Sequence, residues 1–301
     1  MIRRILNASV GEQQKRTCIV QKYLQTPLLV HRRKFDIRVF SLMTSINGQL
    51  KGYFYQDGYL RTSCKEFSLH NLSNRMVHLT NDAVQKYADD YGKFESANKL
   101  SYSDFQKYLD SHHKDLSINF VRDIVPQIRK LVMDSMRAVY TKIDPNKRHN
   151  TFEIYGYDFM LDENFKLYMI EANTNPCLDQ CCPLLTRLIP NMVDNAFRVA
   201  IDPLFPAPEQ FALKKSVIIH EIVPENKFEL VFDEQVDGPP LKEMFCKAEA
   251  VIIELDEEDE EEDTGDLEEE EPARQNAQAV ESPDPKGAES NAVHEEEKKN
   301  D

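Results

Sequence analysis

The stretch HRRKFDIRVF, residues 31–40, decides the fold, because it predicts a β-strand whose two faces differ in chemistry. Side chains along a strand point alternately to opposite faces of the sheet. One face is apolar and consists of Phe35, Ile37 and Val39. The other face carries charges of both signs, from Lys34, Asp36 and Arg38. Two explanations are open: a sheet with one side in water, or a site that handles phosphate and carboxylate groups.

The neighbouring segments predict an antiparallel meander. A strand over 35–46 ends at Asn47-Gly48, and Asp57-Gly58 follows further along; both dipeptides favour the positive φ angles of tight turns. The remaining strands of this region are predicted at 17–24, 50–56 and 59–63. The charged face of 34–38 therefore belongs to a sheet built largely from consecutive segments.

Helices are predicted on at least one side of this sheet. Apolar residues at three- and four-residue spacing over 116–143 indicate an amphipathic helix packed on it, with Pro126 at a kink or in the first turn. Two further helices are expected at 102–111 and at about 183–201. The positions of the long helix that we expect to face the sheet are Ile118, Val121, Val125, Ile128, Val132, Met136 and Val139.

A second hairpin is predicted over 152–173, with its turn at 162–164. If the turn is centred between Glu163 and Asn164, Asp158 lies opposite Met169 and one diagonal step from Glu171. This placement depends on the register, because a slip of one residue would send Asp158 to the other face.

The hairpin brings oxygen ligands to one face. Glu171 and Asn173 are two residues apart and share a face, which Asp158 joins in the expected register. Two carboxylates and an amide oxygen are hard ligands that suit Mg²⁺. The alternative is a solvated hairpin face. Gly156 lacks a side chain and would let another chain segment or a ligand come close.

Charge is distributed very unevenly along the chain. Of the 301 residues, those from Ile253 to Asp301 carry a net charge of −17, whereas residues 1–252 carry +2. The Glu-rich end buries too little apolar surface to offset chain entropy, so we expect it to be disordered. Residues 1–125 carry an excess of seven positive charges, which is compatible with an acidic partner.

The cysteine pattern and the apolar pattern exclude several classes. The six cysteines match neither a zinc-knuckle spacing nor a disulfide framework, so free thiols in a reducing cytoplasm are expected. The N-terminus lacks the apolar region of a signal peptide, and no apolar run is long enough for a membrane span. We therefore expect no membrane as partner. A nucleic acid is not expected as a partner either.

Six motifs, in order, resemble the tubulin–tyrosine ligase family. They are QKYL (21–24) before PLL (27–29), RKFDIR (33–38), YQDGYLRT (55–62), HLTN (78–81), YGYDFMLDE (155–163) and IEANTNP (170–176). The resemblance covers roughly 17–205 and implies an α+β architecture, the C-terminal half of an ATP-grasp fold with a largely antiparallel sheet and packed helices. It implies ligation of an amino acid to a protein, usually a tubulin tail, through an acyl phosphate, with ATP and Mg²⁺.

The resemblance also implies a role for each site residue. The hinge that reads adenine would be Gln21, Lys22, Tyr23 and Leu24. The residues next to the nucleotide phosphates would be Lys34, Thr80 and Asn81. The catalytic residues would be Arg38 and Arg61, which hold a carboxylate, an acyl phosphate or an oxyanion, and Asp36, which orients the cations or the incoming amine. The Mg²⁺ ligands would be Asp158, Glu171 and Asn173.

The domain organisation expected from the sequence has four parts. These are an unpatterned N-terminus (1–16), the ligase-like portion (17–205), an extension with strand-like runs at 214–223 and 227–236 (206–252), and the acidic end (253–301). Because so few residues precede the hinge motif, three alternatives are open: a truncated gene product, which we favour, a fragment that works with another chain, or a catalytically silent microtubule-binding module.

The partners implied by the resemblance are tubulin or microtubules and a free amino acid. Tyrosine, glutamate and glycine are all used within the family, and the sequence leaves the choice among them open. The expected location is the cytoplasm, on the cytoskeleton or in a cilium.

Overall fold

A seven-stranded sheet forms the centre of the structure, a computed structural model that describes residues 21–206 and 225–264. The strand order is β4-β3-β2-β5-β6, with β1 paired to β2 and β7 paired to β3, and every pair is antiparallel. The strands are β1 (Leu29–Val30), β2 (Arg33–Ile46), β3 (Gln49–Glu66), β4 (Lys99–Ser101), β5 (Thr151–Leu161), β6 (Leu167–Thr174) and β7 (Phe228–Asp233). The predicted combination of a largely antiparallel sheet with helices is confirmed.

Helices accompany the sheet in the mixed α/β arrangement. They are α1 (Arg75–His78), α2 (Asp82–Gln85), α3 (Tyr102–His112), α4 (Val125–Ile143), α5 (Pro183–Ala200) and α6 (Glu234–Thr264). A π-helical turn, Phe120–Ile124, precedes α4, and short 3₁₀ turns occupy Ser96–Asn98 and Lys114–Leu116. The helices predicted at 102–111 and 183–201 are confirmed by α3 and α5. Over the described residues, none of the helices combines the length and the apolarity needed to cross a membrane.

The charged face of β2 is not a solvent-exposed face. Every β2 residue from Arg33 to Ser45 is buried. Phe35, Ile37 and Val39 pack in a cluster with α3 and α4, while Phe40 and Leu42 pack in a second cluster with α5. By alternation, the charged residues point to the same side as α5. The explanation by a sheet with one side in water is therefore wrong for this strand.

The predicted turn at Asp57-Gly58 is also wrong. The strand β3 runs without interruption from Gln49 to Glu66, and the register against β2 shifts at this point, as in a β-bulge. Gly58 allows the β2 backbone to come close and does not form a turn, since a Cβ there would lie 2.5 Å from the Arg38 carbonyl oxygen. The turn at Asn47-Gly48 is confirmed, with positive φ at both residues and Ile46 paired to Gln49.

The long helix presents a different set of side chains to the core than its sequence predicts. Val121 and Val139 are 56% and 45% exposed, whereas Phe120 and Tyr140 are buried. The π turn widens the helix before α4 begins, so Val121 does not follow the 3.6-residue phase of α4. Within α4 the buried face continues from Met136 to Tyr140, which leaves Val139 outside it. Pro126 lies in the first turn of α4, where its missing N–H is not needed.

Near both ends of the chain, the secondary structure of the described residues differs from the prediction. Residues 21–24 of the predicted strand 17–24 are irregular, and 17–20 lie outside the described residues. The run 227–236 contains β7, which joins the main sheet through β3, and the run 214–223 lies outside the description. Disorder was expected from 253, but α6 extends to Thr264, in line with the high helix propensity of Glu. Residues 1–20, 207–224 and 265–301 are not described.

Candidate active site

A row of four directly paired residues crosses the sheet and forms the floor of the candidate site. Tyr59 on β3 pairs with Arg38 on β2, Arg38 pairs with Asp158 on β5, and Asp158 pairs with Glu171 on β6. Directly paired residues of an antiparallel ladder project to the same face. The sheet therefore presents an aromatic ring, a guanidinium and two carboxylates side by side.

The pairing of Asp158 differs from the prediction while its face does not. Asp158 lies opposite Glu171 and not opposite Met169, because the β5–β6 register shifts between Asp158 and Phe159. Asn173 shares the face of Glu171, since its Nδ2 donates a hydrogen bond to Glu171 Oε1 at 3.0 Å. The three proposed oxygen ligands thus lie on one side of the hairpin.

Ion pairs connect this row to the charged face of β2. The Arg38 guanidinium donates Nε–H to Asp158 Oδ1 at 2.5 Å and Nη2–H to Oδ2 at 3.1 Å. Arg61 lies between two carboxylates, with Nη2 2.8 Å from Asp158 Oδ2 and Nε 2.7 Å from Asp36 Oδ1. The Thr80 hydroxyl donates to the other Asp36 oxygen. The result is one continuous network of two guanidiniums and two carboxylates, each less than a tenth exposed.

Burial and charge act against each other in this network. Burial alone would raise the pKa of Asp158, but hydrogen bonds from Arg38 and the positive charge of Arg61 hold that pKa below its ordinary value. Burial disfavours the charged form of Arg61, and the carboxylates of Asp36 and Asp158 outweigh this and raise its pKa. Both shifts favour the charged forms of Asp158 and Arg61.

Lys34 lies at one end of the network, where it connects two of the sequence motifs. Its ammonium donates to the His78 carbonyl oxygen at 2.9 Å and lies 5.1 Å from the centroid of the Tyr23 ring. His78 Nε2 is 3.0 Å from the Asn71 carbonyl oxygen and therefore carries the proton, so Nδ1 accepts from the Tyr23 hydroxyl at 2.8 Å. The expected hinge residue Tyr23 and the expected phosphate-binding lysine thus contact each other.

The expected hinge residues lie at the surface, with Tyr23 40% exposed. Gln21 and Lys22 are exposed, and Leu24 is half-buried.

Asn81 caps α2 by accepting a hydrogen bond from the Ala83 N–H at 2.8 Å. The first of the α2 residues, Asp82, follows directly and was not singled out from the sequence.

A cavity of about 460 Å³ opens over the floor. Its walls include Arg38, Arg61, Asn81, Glu171 and Asn173, which brings members of four sequence motifs to one space. It also includes residues that the sequence analysis missed, namely Asp82, Tyr91 and the cysteines Cys177 and Cys181. The signal that would have found Asp82 is its position, since it follows the HLTN motif directly.

The donor set of the hairpin fits Mg²⁺. Asp158, Glu171 and Asn173 supply carboxylate and amide oxygens on one face. Asp158 Oδ2 accepts from both arginines, whereas Oδ1 accepts only from Arg38 and retains acceptor capacity. Glu171 is exposed and free to turn toward an ion. In the described ranges, no group of three or more His, Cys, Asp or Glu side chains suited to a metal ion is found, and the hairpin set consists of two carboxylates and an amide.

Comparisons with known proteins give a family match and several relatives. The sequence profile of the tubulin-tyrosine ligase family matches residues 1–209. Human protein monoglycylase TTLL8 is 36% identical over 188 residues, which is 61% of this chain and 21% of that protein. Tubulin glycylase 3A of Drosophila melanogaster is 36% identical over 202 residues, 66% of this chain and 20% of that protein. This chain thus spans about a fifth of the length of these two relatives.

Proposed function

Because this chain belongs to the tubulin-tyrosine ligase family, we propose that it takes part in the ATP-dependent ligation of an amino acid to a protein, with a tubulin tail as acceptor and glycine as donor. The names of its relatives, a protein monoglycylase and a tubulin glycylase, support tubulin as the acceptor and glycine as the donor. The observation that carries the proposal is the buried network of Arg38, Asp158, Arg61 and Asp36 under an open cavity.

The reaction proposed for this cavity has two steps. An acceptor carboxylate oxygen attacks the γ-phosphorus of ATP, so that ADP leaves and an acyl phosphate forms. The amine of the donor then attacks the acyl carbon, inorganic phosphate leaves and the amine loses a proton to give the amide. Negative charge concentrates on the carboxylate and the transferred phosphoryl group, and catalysis of this type relies on positioning and charge stabilisation.

The residues of this chain supply the positive charge and its orientation. Arg38 and Arg61 are held by carboxylates at their Nε and Nη2 atoms, which leaves Nη1 of each guanidinium to bind the substrate carboxylate or the oxyanion. Asp36 fixes Arg61 and is itself fixed by Thr80. Lys34 and Asn81 would contact the nucleotide phosphates.

Nucleotide and metal ion would bind on the same face. Mg²⁺ would be held by Asp158, Glu171 and Asn173. When bound, it would neutralise negative charge on the phosphates. Tyr23 with the backbone of Lys22 and Leu24 would hold the adenine. We propose a location on the cytoskeleton, where a tubulin substrate is found.

The test is ATP-dependent incorporation of labelled glycine into tubulin by the 301-residue chain. Glu171→Gln keeps the shape of the side chain, removes its charge and is expected to abolish incorporation. Glu163→Gln, in the exposed β5–β6 turn, is the matched control and should keep full activity. Full activity of Glu171→Gln would remove the metal assignment. Salt-sensitive microtubule pelleting by a wild-type chain that incorporates no glycine would contradict the ligase and favour a binding module.

A further inference from the structure

One carboxylate of the cavity wall is held in place by a buried lysine. Asp82, at the start of α2, lines the same cavity as Arg38 and Arg61. Lys99 Nζ lies 2.6 Å from Asp82 Oδ1 and also donates to the Ala97 carbonyl oxygen at 2.9 Å. The Lys99 side chain is only 1% exposed, whereas that of Asp82 is 38% exposed. The pair therefore has a buried cation and a carboxylate that reaches the cavity.

The carboxylate of Asp82 is fixed at one oxygen and available at the other. The hydroxyl of Tyr91, another wall residue, donates to the same Oδ1 atom at 3.3 Å. Both hydrogen bonds therefore converge on Oδ1 and leave Oδ2 for a ligand. Burying an ammonium costs several kcal/mol unless it is paired in good geometry, so Lys99 holds Asp82 firmly in this orientation.

The cavity thus presents both signs of charge within one space. The Tyr59 hydroxyl lies within electrostatic range of Arg38 and Arg61 and also of Asp82, and burial raises its pKa to about 12, so it stays neutral. A ligand that bridges these groups must carry both an anion and a cation. A free α-amino acid has this chemistry, with a carboxylate for the guanidiniums and an ammonium for the carboxylate of Asp82.

We propose that Asp82, positioned by Lys99 and Tyr91, recognises the ammonium group of the free amino acid that enters this cavity. The inference deepens the proposed ligase function and rests on it for the identity of the ligand. Recognition by Asp82 selects ligands with a free amine and places that amine at the wall formed by α2, while the carboxylate of the same molecule lies toward Arg38 and Arg61.

The first experiment measures binding without catalysis. Glycine and N-acetylglycine, which lacks the ammonium, are titrated into the 301-residue chain by NMR. Wild type should bind glycine at least about tenfold more tightly, and Asp82→Asn should lose that preference because truncating one partner of a close charge pair weakens binding by this order. Equal binding of the two ligands by wild type, or an unchanged preference in Asp82→Asn, overturns the inference.

A matched variant separates recognition from loop stability. Asp90→Asn also removes an ion-paired carboxylate from the segment between α2 and β4, where Asp90 pairs with Lys65 and Lys93 outside the cavity wall. It should keep the preference for glycine. Loss of the preference in both variants would show that Asp82 acts only through the fold, and the inference would fail.

The second experiment distinguishes this inference from the proposed function. In the incorporation assay, Asp82→Asn should raise the KM for the amino acid about tenfold or more and leave the KM for ATP unchanged. An unchanged amino-acid KM, with active wild type, overturns the role of Asp82 and leaves the ligase standing. If wild type binds glycine with the expected preference but does not incorporate it, the ligase fails and the binding role of Asp82 stands.

Discussion

Arg38 and Asp158 lie 120 residues apart in the chain and face each other directly in the β2–β5 ladder, joined by two hydrogen bonds of 2.5 and 3.1 Å. This contact connects the two β-hairpins of the fold. It also sets the position of a guanidinium at the floor of the cavity. The stability of the sheet and the geometry of the site therefore depend on the same pair of side chains.

Removal of the Asp158 carboxylate should destabilise the fold. Asp158→Ala leaves Arg38 and Arg61 buried with too little negative charge, and loss of one partner of a buried ion pair costs about 3–5 kcal/mol. Urea unfolding measures this free energy. Asp134→Ala, which breaks an exposed pair with Lys130 on α4, is the control and should change it by less than about 1 kcal/mol. Similar losses in both variants would contradict the role of the network.

Stability should depend on pH through Asp158 in the acidic range. Its pKa in the folded state lies below the ordinary value of about 3.9, so its ionised form stabilises the fold above that value. The contribution is lost as the pH falls through the folded-state pKa. Asp158→Asn cannot titrate at this position. The difference in unfolding free energy between wild type and Asp158→Asn should therefore be constant from pH 7 to 5 and shrink below pH 4; a constant difference down to pH 2 would exclude this titration.

Gly156 should tolerate no side chain. A Cβ at this position would lie 2.8 Å from Pro176 Cβ and 3.0 Å from Arg38 Nη1, so Gly156→Ala should displace the guanidinium. We expect a loss of about 1–3 kcal/mol in unfolding free energy. Gly238→Ala is the control, because its Cβ would meet the flexible Glu234 Cγ at 3.3 Å and the Tyr140 side chain no closer than 3.7 Å, and Ala favours a helix. Thermal or urea unfolding measures the stability of both variants. A loss of unfolding free energy in Gly238→Ala as large as that in Gly156→Ala would contradict this explanation.

Val121, which precedes α4, and Val132, which lies within it, should differ in how much their truncation destabilises the fold. Val132 is fully buried and Val121 is 56% exposed, although both were expected to face the sheet. Val132→Ala should lower the unfolding free energy by about 2 kcal/mol through lost burial and a residual cavity. Val121→Ala should change it by no more than about 0.5 kcal/mol. Urea unfolding measures both changes. Equal losses would contradict the exposure of Val121 and support the sequence prediction that both valines face the sheet.

Local patterns in the sequence predicted much of the candidate site. Alternation within 33–39 assigned Lys34, Asp36 and Arg38 to one face, because the direction of successive side chains depends only on backbone geometry. The same rule placed Glu171 and Asn173 together. Their roles toward nucleotide, substrate and metal stay predictions.

The structure decided what those patterns do not encode. Asp57-Gly58 lies within a continuous strand because Tyr102 and the Arg38 backbone pack against Gly58. The pairing of Asp158 with Glu171 depends on a bulge, and the contact of Asp82 with Lys99 joins α2 to β4.

By itself, then, the sequence determined the family, the strand that carries the charged face and the side chains that share it. Only the tertiary structure decided that this face is buried, which carboxylate each guanidinium binds, and that Asp82 belongs to the cavity. The physical reason is that side-chain alternation is a property of one segment, whereas burial, register and ion pairing depend on how segments distant in the chain pack together.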